Sequence, residues 1–179
     1  MYFEQIAKVT ADHLRLHLPT YLSQISQEFA GLDIVTLQPP NDISVDSLVG
    51  GVFAVPLENL PVYAVDALNK QPDPTIIDLY TYLYDGHIVG MVTANSAHDV
   101  DRQIKRHEWA VEQYVREHLF LHQLSGEHFT ILGLEFIGSQ FSGAEMAEDN
   151  EDTTLQVWVD AFVINVRWTV SEDGPIQHA

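Results

Sequence analysis

His118 and His122 lie four residues apart, the spacing at which two imidazoles on one helical face can share a metal ion. They close the stretch VDRQIKRHEWAVEQYVREHLFLH, Val100 to His122, which holds four of the eight Lys and Arg residues of the chain. A third imidazole, His107, sits eleven residues before His118, about 16 Å away along a helix axis at ~1.5 Å per residue, so it cannot join the same ion. No HExxH motif or His-rich cluster supplies another ligand. The metal reading of His118 and His122 is therefore weak, and hydrogen-bonded, partly buried histidines with no cofactor are the expectation.

Plotted at about 100° per residue, the stretch has two faces. Val100, Ile104, His107, Val111, Tyr114, Val115, His118, Leu121 and His122 fall on one arc. Arg102, Lys105, Arg106, Trp109, Gln113, Arg116 and Phe120 fall nearly opposite. Cations interleaved with aromatics can bind single-stranded nucleic acid. The same residue types are enriched in protein interfaces, where a basic face can meet an acidic one. The bland alternative, a solvated helix face, has to account for an exposed Trp109. The interface reading ranks above tight or sequence-specific DNA binding, and Arg102, Lys105, Arg106, Trp109, Arg116 and Phe120 are its candidates.

Other constellations are thin. There is no GxSxG, GxGxxG or P-loop, and Gly50-Gly51 lacks a phosphate-loop context. Asp99 and Asp101 form a lone DxD, but acidic residues are expected at a helix start as caps and dipole partners. Asp73 and Asp78 could be imagined as a nuclease carboxylate pair, yet Lys70 precedes the pair rather than following it.

The totals narrow the classes further. With no cysteine, disulfides, thiolate zinc sites and cysteine nucleophiles are excluded. A net charge of −18 opposes general attraction to nucleic acid or anionic lipid, because that attraction comes from neutralising phosphates with cations. At 46% hydrophobic and 19% charged residues, the chain has enough apolar side chain for one folded core. The N-terminal sequence lacks the basic and apolar regions of a secretory signal, and no run reaches the ~18 apolar residues of a membrane span. The expectation is a soluble intracellular protein.

The elements that must carry these residues can be placed by periodicity. Apolar residues at helical spacing predict a helix from about Tyr2 to Leu18, ended or kinked by Pro19, and a second from about Thr20 to Phe29. DIVTL, Asp33 to Leu37, reads as a strand. Ile43 to Pro74 is Pro-punctuated, with GGVFAV and PVYAVDAL as strand pieces, and reads as a loop-rich insertion or arm. IIDLYTYLY and HIVGMVTAN flank Asp85-Gly86, the signature of a type I′ hairpin. Ser96 or Asp99 could cap the helix that follows. Phe129 to Gly138 and Thr153 to Val170 read as strands, the second changing phase near Asp160-Ala161, where a β-bulge is expected. Between them the acidic segment 143–152 reads as a mobile loop, and 171–179 as a frayed tail. One α+β domain follows over 1–179, its mainly antiparallel sheet packed against a long central helix and N-terminal helices.

This layout resembles a known family. An amphipathic N-terminal helix near a proline (IAKVTADHLRLHLPTYL), a strand of the kind TIIDLYTYLY, a helix with the texture of RHEWAVEQYVREHL and a long strand after an acidic loop look like the tail-terminator or tail-completion proteins of long-tailed bacteriophages. The chain is longer than the smallest such proteins, mainly through 43–74. The resemblance implies a structural virion protein with no active site. It would form a homo-oligomeric, sixfold ring that caps the tail tube, contacts tail-tube and neck or connector proteins, and lets DNA pass non-specifically through its lumen. It further implies assembly in the host cytoplasm and no membrane partner. Another neck component of the same virion, or a small metal-dependent or ligand-binding enzyme, are the alternatives.

Overall fold

A computed structural model describes residues 2–28, 62–74, 80–118, 125–147 and 157–173. Its elements are α1 (Phe3–Glu28), β1 (Val62–Pro72), β2 (Thr81–Ala94), α2 (Ala97–Glu117), β3 (Phe129–Phe141), β4 (Glu145–Ala147) and β5 (Val157–Glu172). The strands form one antiparallel sheet in the order β1-β2-β5-β3, with β4 continuing beside β5 beyond the end of β3. Both helices pack on one face of it, which makes an α+β fold with an antiparallel sheet. Among the described residues no helix is long and apolar enough to cross a membrane.

The helices differ from their sequence expectation in length. α1 runs 26 residues straight through Pro19. A proline inside a helix costs about 3 kcal/mol, but each large apolar side chain buried gains about 1.5–3 kcal/mol. Tyr21, Leu22 and Ile25, beyond the proline, are all buried and continue the stripe of Ile6, Leu14 and Leu18 before it, so packing prevails over the local penalty. α2 is the shorter helix at 21 residues, so the expected long central helix is not the longest element. Ser96 is its N-cap, accepting a hydrogen bond from the Asp99 amide, and His118 is its C-cap. Phe120 and His122 lie outside the described residues, as do Asp78 and the expected strand 33–37.

The expected hairpin at Asp85-Gly86 does not form. β2 crosses both residues without a break, paired with β5 from Thr81↔Ser171 to Ala94↔Trp158. The two residues serve the two faces of a strand instead of a turn. Asp85 lies on one face and accepts from Arg167 Nε at 2.7 Å. Gly86 lies on the other, where an added Cβ would meet Asp66 O at 2.0 Å, the Trp168 ring at 2.7 Å and Ala67 Cα at 2.9 Å. Gly90 makes the same kind of room for Phe162, whose ring would lie 2.3 Å from a Cβ there. Two glycines of β2 thus admit Trp168 and Phe162 of β5 into the core. Gly86→Ala should destabilise the fold by about 1–3 kcal/mol or more, as overpacking against backbone does. A urea midpoint unchanged from wild type would show that the strand does not pass this point so closely.

Irregularities occur, but not where the phase of β5 suggested. β5 pairs with β2 without a register shift at Asp160-Ala161. The bulges are in the two outer strands, at Ala67/Asn69 in β1 where it pairs with β2 and at Ile131/Gly133 and Phe136/Gly138 in β3 where it pairs with β5. Asp160 occupies an inward position in step with Phe162, and its carboxylate accepts from Ser142 Oγ, Gly143 N and Ala161 N at 3.1, 3.1 and 2.7 Å. Ordered backbone therefore extends into both segments read as mobile: Glu145–Ala147 is strand β4, and β5 continues to Glu172. Likewise part of the supposed arm is β1, an edge strand that ends on Pro72, where a missing N–H costs nothing.

At the end of the sheet Glu172 joins three strands. It receives Lys70 Nζ at 2.6 and 2.7 Å and the Tyr84 hydroxyl, while the Lys70 ammonium lies 3.6 Å from the Tyr82 ring centroid. The core proper is Phe162, Ile164, Val166, Trp168 and Val170 of β5 against Ile6, Leu14 and Leu18 of α1 and Ile104, Val111 and Tyr114 of α2. Trp168 Nε1 donates to Thr10 Oγ1 at 3.0 Å, tying the centre of the sheet to α1.

Candidate functional site

The two faces of α2 are realised, with different consequences. Val100, Ile104, His107, Ala110, Val111, Tyr114 and Val115 are buried, close to the set that helical geometry predicts. The opposite arc is less of a cationic surface than its sequence suggests. Arg102 lies 3.8 Å from Asp99, Lys105 2.8 Å from Asp101 and Arg116 2.6 Å from Glu112, each one helical turn away. Trp109 packs against the core cluster, and the Arg116 guanidinium lies 4.7 Å from the Phe136 ring centroid on β3. Three of the four cations of the stripe, Arg102, Lys105 and Arg116, are thus paired within their own helix, and the stripe leans partly on the sheet. Its charge is not offered freely to a phosphate backbone.

His107 is 1% exposed. Its Nδ1 is hydrogen-bonded to the Tyr63 hydroxyl, while Nε2 has no hydrogen-bond partner among the described residues. Burial, reinforced by the neighbouring Arg106 charge, holds its pKa down to about 3, so it is neutral at physiological pH. Burial likewise pushes Tyr63 above the usual phenol range. This pair is a neutral polar contact inside the core.

His118 stands elsewhere, at the end of α2, and the residues around it were not singled out by sequence. His13 and His17, on consecutive turns of α1, bring their rings to 4.9 and 4.8 Å from that of His118. Tyr114 and Tyr21 flank the group, with the Tyr114 hydroxyl 3.0 Å from His13 Nδ1 and the Tyr21 hydroxyl 3.3 Å from His118 Nε2. Tyr21 donates to Glu117 at 2.6 Å. Among the described residues no set of three His, Asp or Glu is arranged to hold a metal ion. The rings pack against one another tilted or edge-on, at interplanar angles of 34°, 82° and 50°. The one available sequence signal was the i, i+4 pair in HLRLH, and nothing in the sequence shows that it meets a residue about a hundred positions later.

A different surface stands out on β3. This outer strand hydrogen-bonds to β5 on one side, and each of its two bulges sets one residue out of register, Leu132 and Ile137. Both are exposed, Ile137 by 50%, and Phe141 at the strand end and Met146 on β4 are exposed as well. From Phe129 to Ala144 the sequence contains one charged residue, Glu135, in a chain whose net charge is −18.

No protein-family model matches this chain, and a search of curated proteins finds no match.

Proposed function

We propose that this chain is a structural virion subunit of a long-tailed bacteriophage, a tail terminator whose copies close a ring on the tail tube and join it to the neck. We place the contact between copies at the β3–β4 edge, which no other strand among the described residues pairs with. The observation that carries the reading is that edge. β3 is 13 residues long with Glu135 its one charged residue, β4 adds Glu145, and the bulged residues Leu132 and Ile137 are exposed. Bulges and charges usually protect an edge strand from pairing. Here the charges are few and the bulges add apolar surface.

Charge favours a second copy as the occupant. Subunits of −18 repel through most of their surface, and they approach at least cost where neither presents charge. A ring needs a heterologous contact whose rotation closes, so the edge of one copy would meet a different surface of the next. The acidity that opposes phosphate binding suits a lumen through which DNA slides without being gripped. The order and texture of the elements, which resemble the tail-terminator family, supply the rest of the reading.

The test is native mass by light scattering, with negative-stain images of the particles. Wild type is expected to form annular oligomers at moderate salt. Ile137→Lys and Phe141→Lys are expected to shift the population to monomer with the thermal midpoint unchanged, since both side chains are exposed. A contact centred on the basic stripe would respond to Arg116→Glu and not to the edge variants. Wild type that stays monomeric at every concentration, or edge variants that assemble as wild type does, would remove the proposal.

A further inference from the structure

Three imidazoles from distant parts of the chain crowd one another where α1 crosses the end of α2. The His13 and His17 rings lie 4.1 Å apart between centroids, and both lie within 5 Å of His118. Facing them are Tyr21 on α1 and Tyr114 and Glu117 on α2. Among the described residues, every hydrogen bond and ring contact of the three histidines falls on these two helices and the α2 cap. The nearby acid on α1, Asp12, is engaged by Arg15 at 2.6 Å and Lys8 at 3.6 Å. Glu117 is the anion closest to hand, and its carboxylate already accepts from Tyr21.

We propose that the His13–His17–His118 cluster is a pH-sensitive latch that holds α1 from His13 onward against α2 while the imidazoles are neutral and releases it when two or more are protonated. Neutral imidazoles pack against one another and against tyrosine at little cost. Imidazolium ions at the same separations repel, and one carboxylate can compensate one of them at most. The closed arrangement resists protonation accordingly. Burial first, then the neighbouring His17 and His118, hold His13 down to about 4. His118 is lowered by burial and by His17, against an opposing pull from Glu117. Once opened, His13 and His118 would regain ordinary imidazole basicity, so acid favours the open state.

The opening is confined to one part of the helix. The first half of α1 is pinned by Thr10 to Trp168 and by Phe3, whose ring centroid is 5.2 Å from that of Tyr84. From His13 onward the helix contains Pro19, which cannot donate to the Arg15 carbonyl and so weakens the ladder within the segment that carries His13 and His17. Local opening at such a point need not unfold the sheet.

The experiment is amide hydrogen exchange on the full chain at pH 7.5 and pH 5, corrected for intrinsic exchange rates. In wild type, protection of residues 13–25 should fall by about tenfold or more at pH 5, beyond any change in β2 and β5. His13→Gln combined with His17→Gln should abolish that selective loss. Glu117→Gln keeps an acceptor for Tyr21 but removes the compensating charge, so it should move the opening to higher pH. Equal loss across α1 and the sheet, or an unaltered transition in the double variant, would overturn the latch. If the double variant does not fold, His17→Gln and Glu117→Gln decide it: a transition that neither shifts is incompatible with the proposal.

Discussion

Trp168→Ala should lower the unfolding free energy by about 3–5 kcal/mol, the range for deleting a large buried aromatic. The indole is fully buried at the middle of the sheet, over the space left by Gly86 and against α1. The surrounding backbone is held by strand pairing on both sides of β5, so the cavity cannot collapse freely. Trp168→Phe keeps most of the ring but leaves the Thr10 hydroxyl without its donor, at about 1–3 kcal/mol. Urea denaturation with a constant m-value measures both. A double-mutant cycle sharpens the point. Removing the indole should relieve part of the cost of Gly86→Ala, because the ring is one of three obstacles to that Cβ, while Asp66 O and Ala67 Cα remain. Strict additivity, or a loss below about 1 kcal/mol for Trp168→Ala, would contradict this packing.

Acid should destabilise the fold well above the pH at which carboxylates titrate. In the folded protein burial keeps His107 neutral down to about 3, whereas its ordinary value is 6.5. As pH falls, the unfolded chain therefore takes up the proton first. The stability due to neutral His107 is complete above about pH 6.5 and is lost progressively as pH drops from there toward 3. At 1.36 kcal/mol per pH unit, His107 alone should remove about 2 kcal/mol between pH 8 and pH 5. His13 and His118, lowered in the same direction, add to this, but they are more exposed and solvent screening reduces their share. His107→Gln should be less stable than wild type at pH 8, because it disturbs the contact with Tyr63. Its stability should fall less steeply between pH 8 and pH 5. Parallel slopes for the two proteins would mean that His107 is protonated without cost and is not buried as described. The acid response of the latch differs in kind, since it appears in the exchange of α1 before any loss of the sheet.

Several features were legible in the sequence because they rest on local periodicity. The inward face of α2, its Ser96 cap, the strand over Phe129 to Gly138 and the antiparallel α+β class all follow from spacing and propensity. Other features depended on what lies across from a residue. Pro19 signals a helix end, but the apolar side chains on both sides of it have a sheet to bury against. Asp-Gly signals a turn, but Asp85 faces Arg167 and Gly86 faces Trp168, so the pair sits in mid-strand. The phase change of β5 signals a bulge, but β5 stays in register with β2 there, and the buried Asp160 finds two donors in the β3–β4 connection, Ser142 and Gly143, and a third in the Ala161 amide.

The candidate sites divide in the same way. The sequence by itself determined the composition of the basic arc and the burial of His107, because a helix fixes which residues share a face. Only the tertiary structure decided that Arg102, Lys105 and Arg116 of the arc are paired with acids one turn away, since sequence spacing allows those pairs without requiring them. It alone brought His13 and His17 to His118, because meetings between α1 and α2 are set by how two amphipathic faces share one sheet. And it alone made the β3 edge prominent, since the strand order and the bulges that set Leu132 and Ile137 out of register depend on which strand pairs with which.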